Sequence, residues 1–288
     1  MPTICLATTA AARALDEDHA TLEAALRQSG FDVHRADWDD AAVDWSGFDA
    51  VLLRSTWNYF DDLPKFLDWC AQVAAVTTLL NPLDVVRWNT DKHYLGDLAG
   101  RGIATVESHF VEPGDTPDAF PDFAEFVVKP AVGAGSRDAQ RYLRAQRDAA
   151  IAHVRRLTGS GRSALVQPYL RGVDTQGETA LLFFDGVYSH AIRKGALLRR
   201  DEGPTQQLFA PEQISAREPD PAELALAKQV IAALPFGPLT YARVDLLPSA
   251  DGPQLLELEL TEPSLFLDTA PGSAQRLAAV LAARLMRS

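Results

Sequence analysis

Apolar positions along this chain fall into short unbroken runs separated by segments of helical spacing. Thr3–Thr8 reads as a strand, and residues 17–29 follow with Leu22, Ala25 and Leu26 on one helical face and Gly30 where a helix C-terminal glycine belongs. Residues 31–35 and 50–54 are further strands, and Leu63–Val76 is a second helix. Strand, helix, strand, strand, helix predicts an α/β layer with a parallel sheet, whose ligands lie beyond the carboxyl ends of the strands. Arg54-Ser55-Thr56-Trp57-Asn58-Tyr59 occupies such a place. It mixes a cation, hydroxyls, an amide and aromatics, and it also fits a capped turn covering the core.

Asn81-Pro82 marks a boundary. Beyond it, Asn89-Thr90-Asp91 is expected to open a helix closed by Gly100 or Gly102, with Lys92 in its first turn, where a cation opposes the helix dipole. Residues 111–123 form a connector. The strand Phe126-Val127-Val128 ends in Lys129-Pro130 and runs into Ala131-Val132-Gly133-Ala134-Gly135-Ser136. A helix with a basic face (147–157) and a strand (164–169) precede a hairpin, Glu178–Phe184 and Val187–Lys194 around Asp185-Gly186. Residues 199–221 read as a long polar loop of the kind that serves as a lid or binding loop. A helix (221–234), a second hairpin (241–247 with 254–260) and an amphipathic terminal helix (273–286) complete the chain.

Composition narrows the class. The length of 288 residues is enough for about two domains, and 47% hydrophobic residues against 23% charged exclude wholesale disorder. A net charge of −12 argues against a general nucleic-acid or anionic-membrane binder, although a local basic cluster can still take a small anion. Cys5 and Cys70 are too few for a disulfide framework or a cysteine zinc site and read as buried free thiols of a reducing cytosol. No segment approaches 18 consecutive apolar residues, and the N-terminus lacks a basic region before its apolar stretch, so a cytoplasmic protein is expected. There is no G-x-x-x-x-G-K-[ST], no G-x-G-x-x-G after the first strand, no metal spacing among six histidines and no G-x-S-x-G. The obvious hydrolase and dehydrogenase classes drop out.

Three features remain. Lys129 at a strand end, beside the glycine-rich loop 133–136, can hold a phosphate by charge and backbone N–H groups, and equally fits a flexible turn with a solvated lysine. Alternation puts Arg243 with Asp245, and Glu257 with Glu259, on one face of their strands, so a hairpin would cluster three carboxylates. Such a cluster asks for a hard cation such as Mg²⁺ unless it is simply a polar face in water. Ala164-Leu165-Val166-Gln167-Pro168-Tyr169-Leu170 is an apolar strand entering a polar hinge, suited to adenine or to plain core.

The order of these features resembles the ATP-grasp superfamily, in its glutathione-synthetase-like branch, over nearly the whole chain. The resemblance implies a mixed α/β (α+β) ATP-grasp fold with a substrate-side α/β domain over residues 1–88, a central subdomain over 89–170 and a C-terminal subdomain with the metal site over 171–288. It implies ATP and Mg²⁺ as cofactors and activation of a small-molecule carboxylate as an acyl phosphate. By the same resemblance Lys92, Lys129, Gly133, Gly135 and Ser136 contact the phosphates, Gln167, Tyr169 and Leu170 line the adenine pocket, and Asp174 takes the ribose. Asp245, Glu257 and Glu259 become metal ligands, Arg193 and Arg243 the catalytic cations, and Arg54, Ser55, Asn58 and Tyr59 the substrate contacts. The family usually has Glu-x-Asn where this chain has Glu257-Leu258-Glu259. Arg54–Tyr59 as a block, Asn81-Pro82, Arg87–Lys92 and the stretch 256–263 are similar to the group containing a cyclo-ligase that acts on O-ureido-D-serine in antibiotic biosynthesis. An intermolecular ligase joining an acid to an amine and a non-catalytic nucleotide-binding module are the alternatives, and homo-oligomerisation is left open.

Overall fold

The computed structural model describes residues 1–198, 203 and 213–285. Its first layer comprises β1 (Thr3–Thr8), α1 (His19–Gln28), β2 (Asp32–Asp37), β3 (Ala50–Ser55), α2 (Leu63–Val76) and β4 (Thr78–Leu80), with a parallel sheet in the order β2-β1-β3-β4. All six residues of β3 are buried, as expected of a strand covered on both faces. α1 ends where Gly30 takes φ 88° and the Phe31 N–H returns to the Leu26 carbonyl at 3.1 Å. α2 starts on Asp62, whose carboxylate accepts the Lys65 N–H at 3.1 Å, with proline in the first turn.

α3 (Leu83–Asn89) and α4 (Tyr94–Gly100) lead into a second, antiparallel sheet. Its strands β5 (His109–Val111), β6 (Glu125–Pro130), β7 (Gln140–Leu143) and β8 (Ala164–Pro168) lie in the order β5-β8-β6-β7, with α5 (Arg147–Gly159) against them. After the short α6 (Val173–Gln176), the third sheet is built from β9 (Glu178–Phe184), β10 (Val187–Lys194), β11 (Ile214–Arg217), β12 (Tyr241–Ser249) and β13 (Gly252–Glu259), ordered β11-β10-β9-β12-β13. α7 (Pro221–Ala232) packs on it. α8 (Ser273–Leu285) returns to α1, so that Leu277 and Leu281 share one core with Ile4, Leu22 and Leu26.

Both expected hairpins form. Asp185 and Gly186 carry φ 52° and 76°, the left-handed pair of a tight hairpin turn. Two local expectations are corrected. Asn89 ends α3 rather than opening a helix, and Lys92 lies in the connector before α4. The Asn89 amide is occupied elsewhere, donating to the Leu258 carbonyl (2.7 Å) and accepting the Leu260 N–H (2.6 Å). Within the expected loop 199–221, residues 214–217 form β11 because the outer edge of β10 offers unpaired backbone groups. Residues 199–202 and 204–212 of that loop lie outside the described residues.

Asn81 and Tyr241 bolt the first sheet to the third. The fully buried Asn81 amide donates to the carbonyls of Tyr241 (3.0 Å) and Leu260 (2.9 Å) and accepts the Thr240 N–H (2.8 Å). The Tyr241 hydroxyl sits 2.7 Å from the Thr261 carbonyl and 3.2 Å from those of Leu53 and Leu80. Asn81→Ala strands three buried backbone groups and is expected to cost about 3 kcal/mol of unfolding free energy in urea titration. A loss under about 1 kcal/mol would mean that the two sheets hold together without this bolt.

Candidate active site

The β12–β13 register sets Arg243 opposite Glu259 and Asp245 opposite Glu257, while Val244 and Leu258 point into the core on the other face. Four charges thus share one patch of sheet, and neighbouring elements supply counter-charges. Arg243 donates through Nε and Nη2 to Asp245 (2.9 Å each at the shortest), through Nη2 also to Glu259, and through Nη1 to the Ser264 carbonyl at 3.2 Å. Lys194, at the end of β10, reaches Asp245 at 2.8 Å and Glu178 at 2.7 Å. Lys92 reaches Glu257 at 2.9 Å and the Gly133 carbonyl at 3.0 Å, and Lys129 lies 3.9 Å from Glu257.

These contacts set the titration behaviour. Burial works against the charge of Asp245, yet Arg243 and Lys194 outweigh it and hold the carboxyl well below its ordinary value. Glu257 is likewise shifted up by burial but down by Lys92 and Lys129, with a net fall. Glu259 goes the other way: burial first, then the charges of Asp245 and Glu257, exceed the pull of Arg243 and push it up to about 8. Lys92 is raised because Glu257 overcomes its burial, whereas burial keeps Lys129 below the ordinary lysine value.

Facing this strip across one cleft lies the loop after β6. Gly135 and Ser136 have φ 62° and 59°, and a Cβ on Gly133 would stand 3.3 Å from the Pro130 ring, so the backbone approaches the cleft closely only because glycine is present. The buried Gln167 donates to the Ser108 hydroxyl at 3.0 Å, and with Tyr169 and Leu170 it forms the apolar end of the same cleft. The geometry therefore brings Lys92, Lys129, the glycine loop and the hinge strand to one wall, and Arg243, Asp245, Glu257 and Glu259 to the other. Among the described residues, no three His, Cys, Asp or Glu side chains converge as a ready metal cage.

Other expected site residues are placed elsewhere. Arg193 alternates to the opposite face of β10 from Lys194, and its guanidinium donates to the carbonyls of Gln176 and Thr175, closing the end of α6. Asp174 does not line the cleft; Arg141 (3.1 and 3.2 Å) and the Tyr169 hydroxyl (2.6 Å) take up its carboxylate. Arg54 and Ser55 are the last residues of β3 rather than part of a loop, and neither they nor Asn58 line the cleft, whereas Tyr59 does. Ser55 pairs with the Thr8 hydroxyl at 2.7 Å, and Asn58 is tied to Trp38 and Asp39. Arg54, 1% exposed, faces Asp18 (3.3 Å) and Asp16 (3.7 Å) and donates to the Pro263 carbonyl at 3.0 Å. It is a buried clamp on the segment after β13. Sequence reasoning set Lys194 beside Arg193 at a phosphoryl group without choosing it as a site residue and gave no role to Trp57, Glu262 or Phe266, and all four line the cleft. Strand parity could have preferred Lys194, because it stands next to Arg193 and must point the other way.

A family model described as "D-cycloserine synthetase DcsG, N-terminal domain" matches residues 4–81. The cycloserine biosynthesis protein DcsG of Streptomyces lavendulae is 42% identical over 299 residues, covering 99% of both chains. The chain belongs to the DcsG family. The crystal structure of D-cycloserine synthetase DcsG is similar at a TM-score of 0.92 and 41% identity, covering 98% of this chain and 99% of that one. The ATP-grasp ligase PsnB, in a complex with a phosphomimetic variant of its minimal precursor, Mg and ADP, matches at a TM-score of 0.63 and 17% identity over 99% of each chain, a likeness of fold alone. The mixed α/β ATP-grasp architecture expected from the sequence is the one found. This DcsG-family chain is an ATP-dependent ligase.

Two outcomes test the electrostatic description. Arg54→Ala leaves Asp16 and Asp18 without their buried cation and is expected to lower unfolding stability by about 3–5 kcal/mol. Unchanged stability with a rise confined to the KM of the carboxylate substrate would return Arg54 to a substrate-binding role. Glu259, raised to about 8 from the ordinary 4.5, keeps its proton in the folded chain over a range in which the unfolded chain has lost it. Its contribution therefore makes folding progressively less favourable as pH rises from about 4.5 to about 8, after which the effect levels off. Glu259→Gln should gain stability relative to the parent across that window, in thermal melts without nucleotide or metal. Parallel pH profiles would contradict the assigned direction.

Proposed function

We propose that this chain is an ATP- and Mg²⁺-dependent cyclo-ligase that closes the ring of O-ureido-D-serine on the way to D-cycloserine. The observation carrying this reading is the full-length relationship to the cycloserine biosynthesis protein, in a chain whose cleft joins a phosphate-suited loop to a cation-bearing carboxylate strip. A carboxylate oxygen of the substrate takes the γ-phosphoryl group of ATP with release of ADP. An internal nitrogen then attacks the acyl carbon and gives up its proton, phosphate leaves, and water later removes the ureido carbonyl as carbon dioxide with release of ammonia.

Each residue has a part that its position supports. Lys92 and Lys129 would hold phosphate oxygens by charge, with backbone N–H groups of 133–136 closing over them. Gln167, Tyr169 and Leu170 would flank the adenine, and Tyr59 the substrate end. Arg243, pinned at three sides by Asp245, Glu259 and Ser264, would meet the charge that develops on the transferred phosphoryl group. Positioning is the larger part of catalysis in phosphoryl transfer. Asp245, Glu257 and Glu259, held by lysine and arginine and not converged as a cage, would supply oxygen donors of the kind Mg²⁺ takes beside the phosphate loop. When bound, the ion supplies charge neutralisation and a template between phosphate oxygens.

Release of ADP and phosphate with Mg-ATP should occur with O-ureido-D-serine alone and yield a ring product by mass. Release only when an acid and an amine are both supplied would replace cyclisation with an intermolecular ligase. Glu257→Gln should lower kcat at saturating ATP by about 10²-fold or more and raise the Mg²⁺ concentration needed for half-maximal rate. An unaltered Mg²⁺ dependence would remove Glu257 from the metal set.

A further inference from the structure

One carboxylate in the cleft differs from the rest. Glu262 is 6% exposed and lines the cleft, yet among the described residues no lysine, arginine or histidine forms an ion pair with it. Its carboxylate has no side-chain hydrogen-bond partner there either, whereas Asp245, Glu257, Glu259 and Glu178 each hold a cation. Its carboxylate accepts a hydrogen bond from its own backbone N–H, but a buried carboxylate with no cation beside it is still costly unless one arrives. Burial, foremost, drives its pKa up to about 7.

The backbone around Glu262 is fixed in place. The Trp57 indole N–H donates to the Glu262 carbonyl at 3.0 Å, and Arg54 holds the Pro263 carbonyl at 3.0 Å. Asp18 accepts the N–H groups of Leu265, Phe266 and Leu267 at 2.6, 3.1 and 2.6 Å, which keeps the bulky Phe266 at φ 51°, a strained left-handed conformation. Strain of this kind persists where surrounding structure overdetermines it, and it gathers at ligand sites. Trp57, Tyr59, Glu262 and Phe266 all line the cleft, and the Arg243 guanidinium lies 5.6 Å from the Phe266 ring. An anion short of its partner, aromatic walls and a nearby cation together complement a small zwitterion.

We propose that Glu262 binds the protonated amine of the substrate and so makes this ligase specific for amino acids over carboxylic acids that lack an amine. This rests on reading the cleft as the carboxylate-activating site. The Arg243 side would receive the acid end, and Glu262, three residues past Glu259, the amine end of the same molecule. A site built to pair a charged donor rejects a ligand lacking it far more strongly than an apolar pocket rejects a missing methylene.

The test compares O-ureido-D-serine with its twin carrying hydrogen in place of the α-amino group, by ADP release, in the parent and in Glu262→Gln. The parent should prefer the amine-bearing compound by about 100-fold or more in kcat/KM. Glu262→Gln should erase most of that preference by losing about 100-fold on the amine-bearing compound alone, with the KM of ATP within about 2-fold of the parent. Equal losses on both compounds, or a shifted Mg²⁺ dependence with the preference intact, would overturn the assignment. Should the parent use a different amino acid, the cyclisation reading fails while the amine role is judged on that acid and its des-amino twin. A preferred substrate without an amine overturns it. So does a parent that, with Mg²⁺ and a non-hydrolysable ATP analogue, binds no amine-bearing acid in calorimetry.

Discussion

Carboxylates at 245, 257 and 259 on a single patch of sheet repel one another, and the structure tolerates them because cations arrive from separate parts of the chain. Arg243 comes from the same strand, Lys194 from the end of β10, Lys92 from the connector between α3 and α4, and Lys129 from the end of β6. The electrostatic balance thus exists only in the assembled fold, with the second and third sheets brought face to face. No single element is stabilised by it alone. An apolar patch of the same size would be the more stable solution, because desolvating ion pairs gains little or nothing over packing hydrocarbon. Retaining charge there is the expected signature of a site rather than of a scaffold.

The scaffold is held by a different device. Where one sheet meets another, strand ends present backbone carbonyls and N–H groups with no ladder partner, and buried backbone groups need one. Asn81 and Asn89 supply both a donor and an acceptor, each spanning the end of β13, and Tyr241 adds a hydroxyl. Arg54 and Asp18 do the same for the segment 263–267 with full charges. These neutral and charged bolts fix the carboxylate-bearing wall of the cleft against the first layer. Positional precision is what phosphoryl and acyl transfer demand.

What was legible in the sequence follows from which interactions are local. Period-two alternation and the Asp185-Gly186 turn act within a few residues, so both hairpins, and the shared face of Arg243, Asp245, Glu257 and Glu259, could be read directly. Long-range hydrogen bonding could not. Asn89 has the composition of a helix cap, but its amide is engaged by residues about 170 positions away. Arg54 lies at the carboxyl end of β3, near where ligand contacts gather, yet two aspartates from the first layer and the Pro263 carbonyl claim its guanidinium. The choice between Arg193 and Lys194 was a matter of parity: one residue of register decides which of two adjacent cations enters the cleft.

The second acidic position of the Glu257-Leu258-Glu259 motif fits this picture. With asparagine there, as the wider superfamily usually has, Arg243 would be oriented by Asp245 and the Ser264 carbonyl alone. Glu259, directly across the strand pair, adds a third anchor and fixes the guanidinium plane between the carboxylate strip and the segment that carries Phe266. Burial first, then the charges of Asp245 and Glu257, make Glu259 itself bind a proton more readily than an ordinary glutamate. The extra carboxylate therefore serves to orient Arg243. A motif change that looks like an added liability is coherent when Arg243, not the metal alone, is taken as the group it serves.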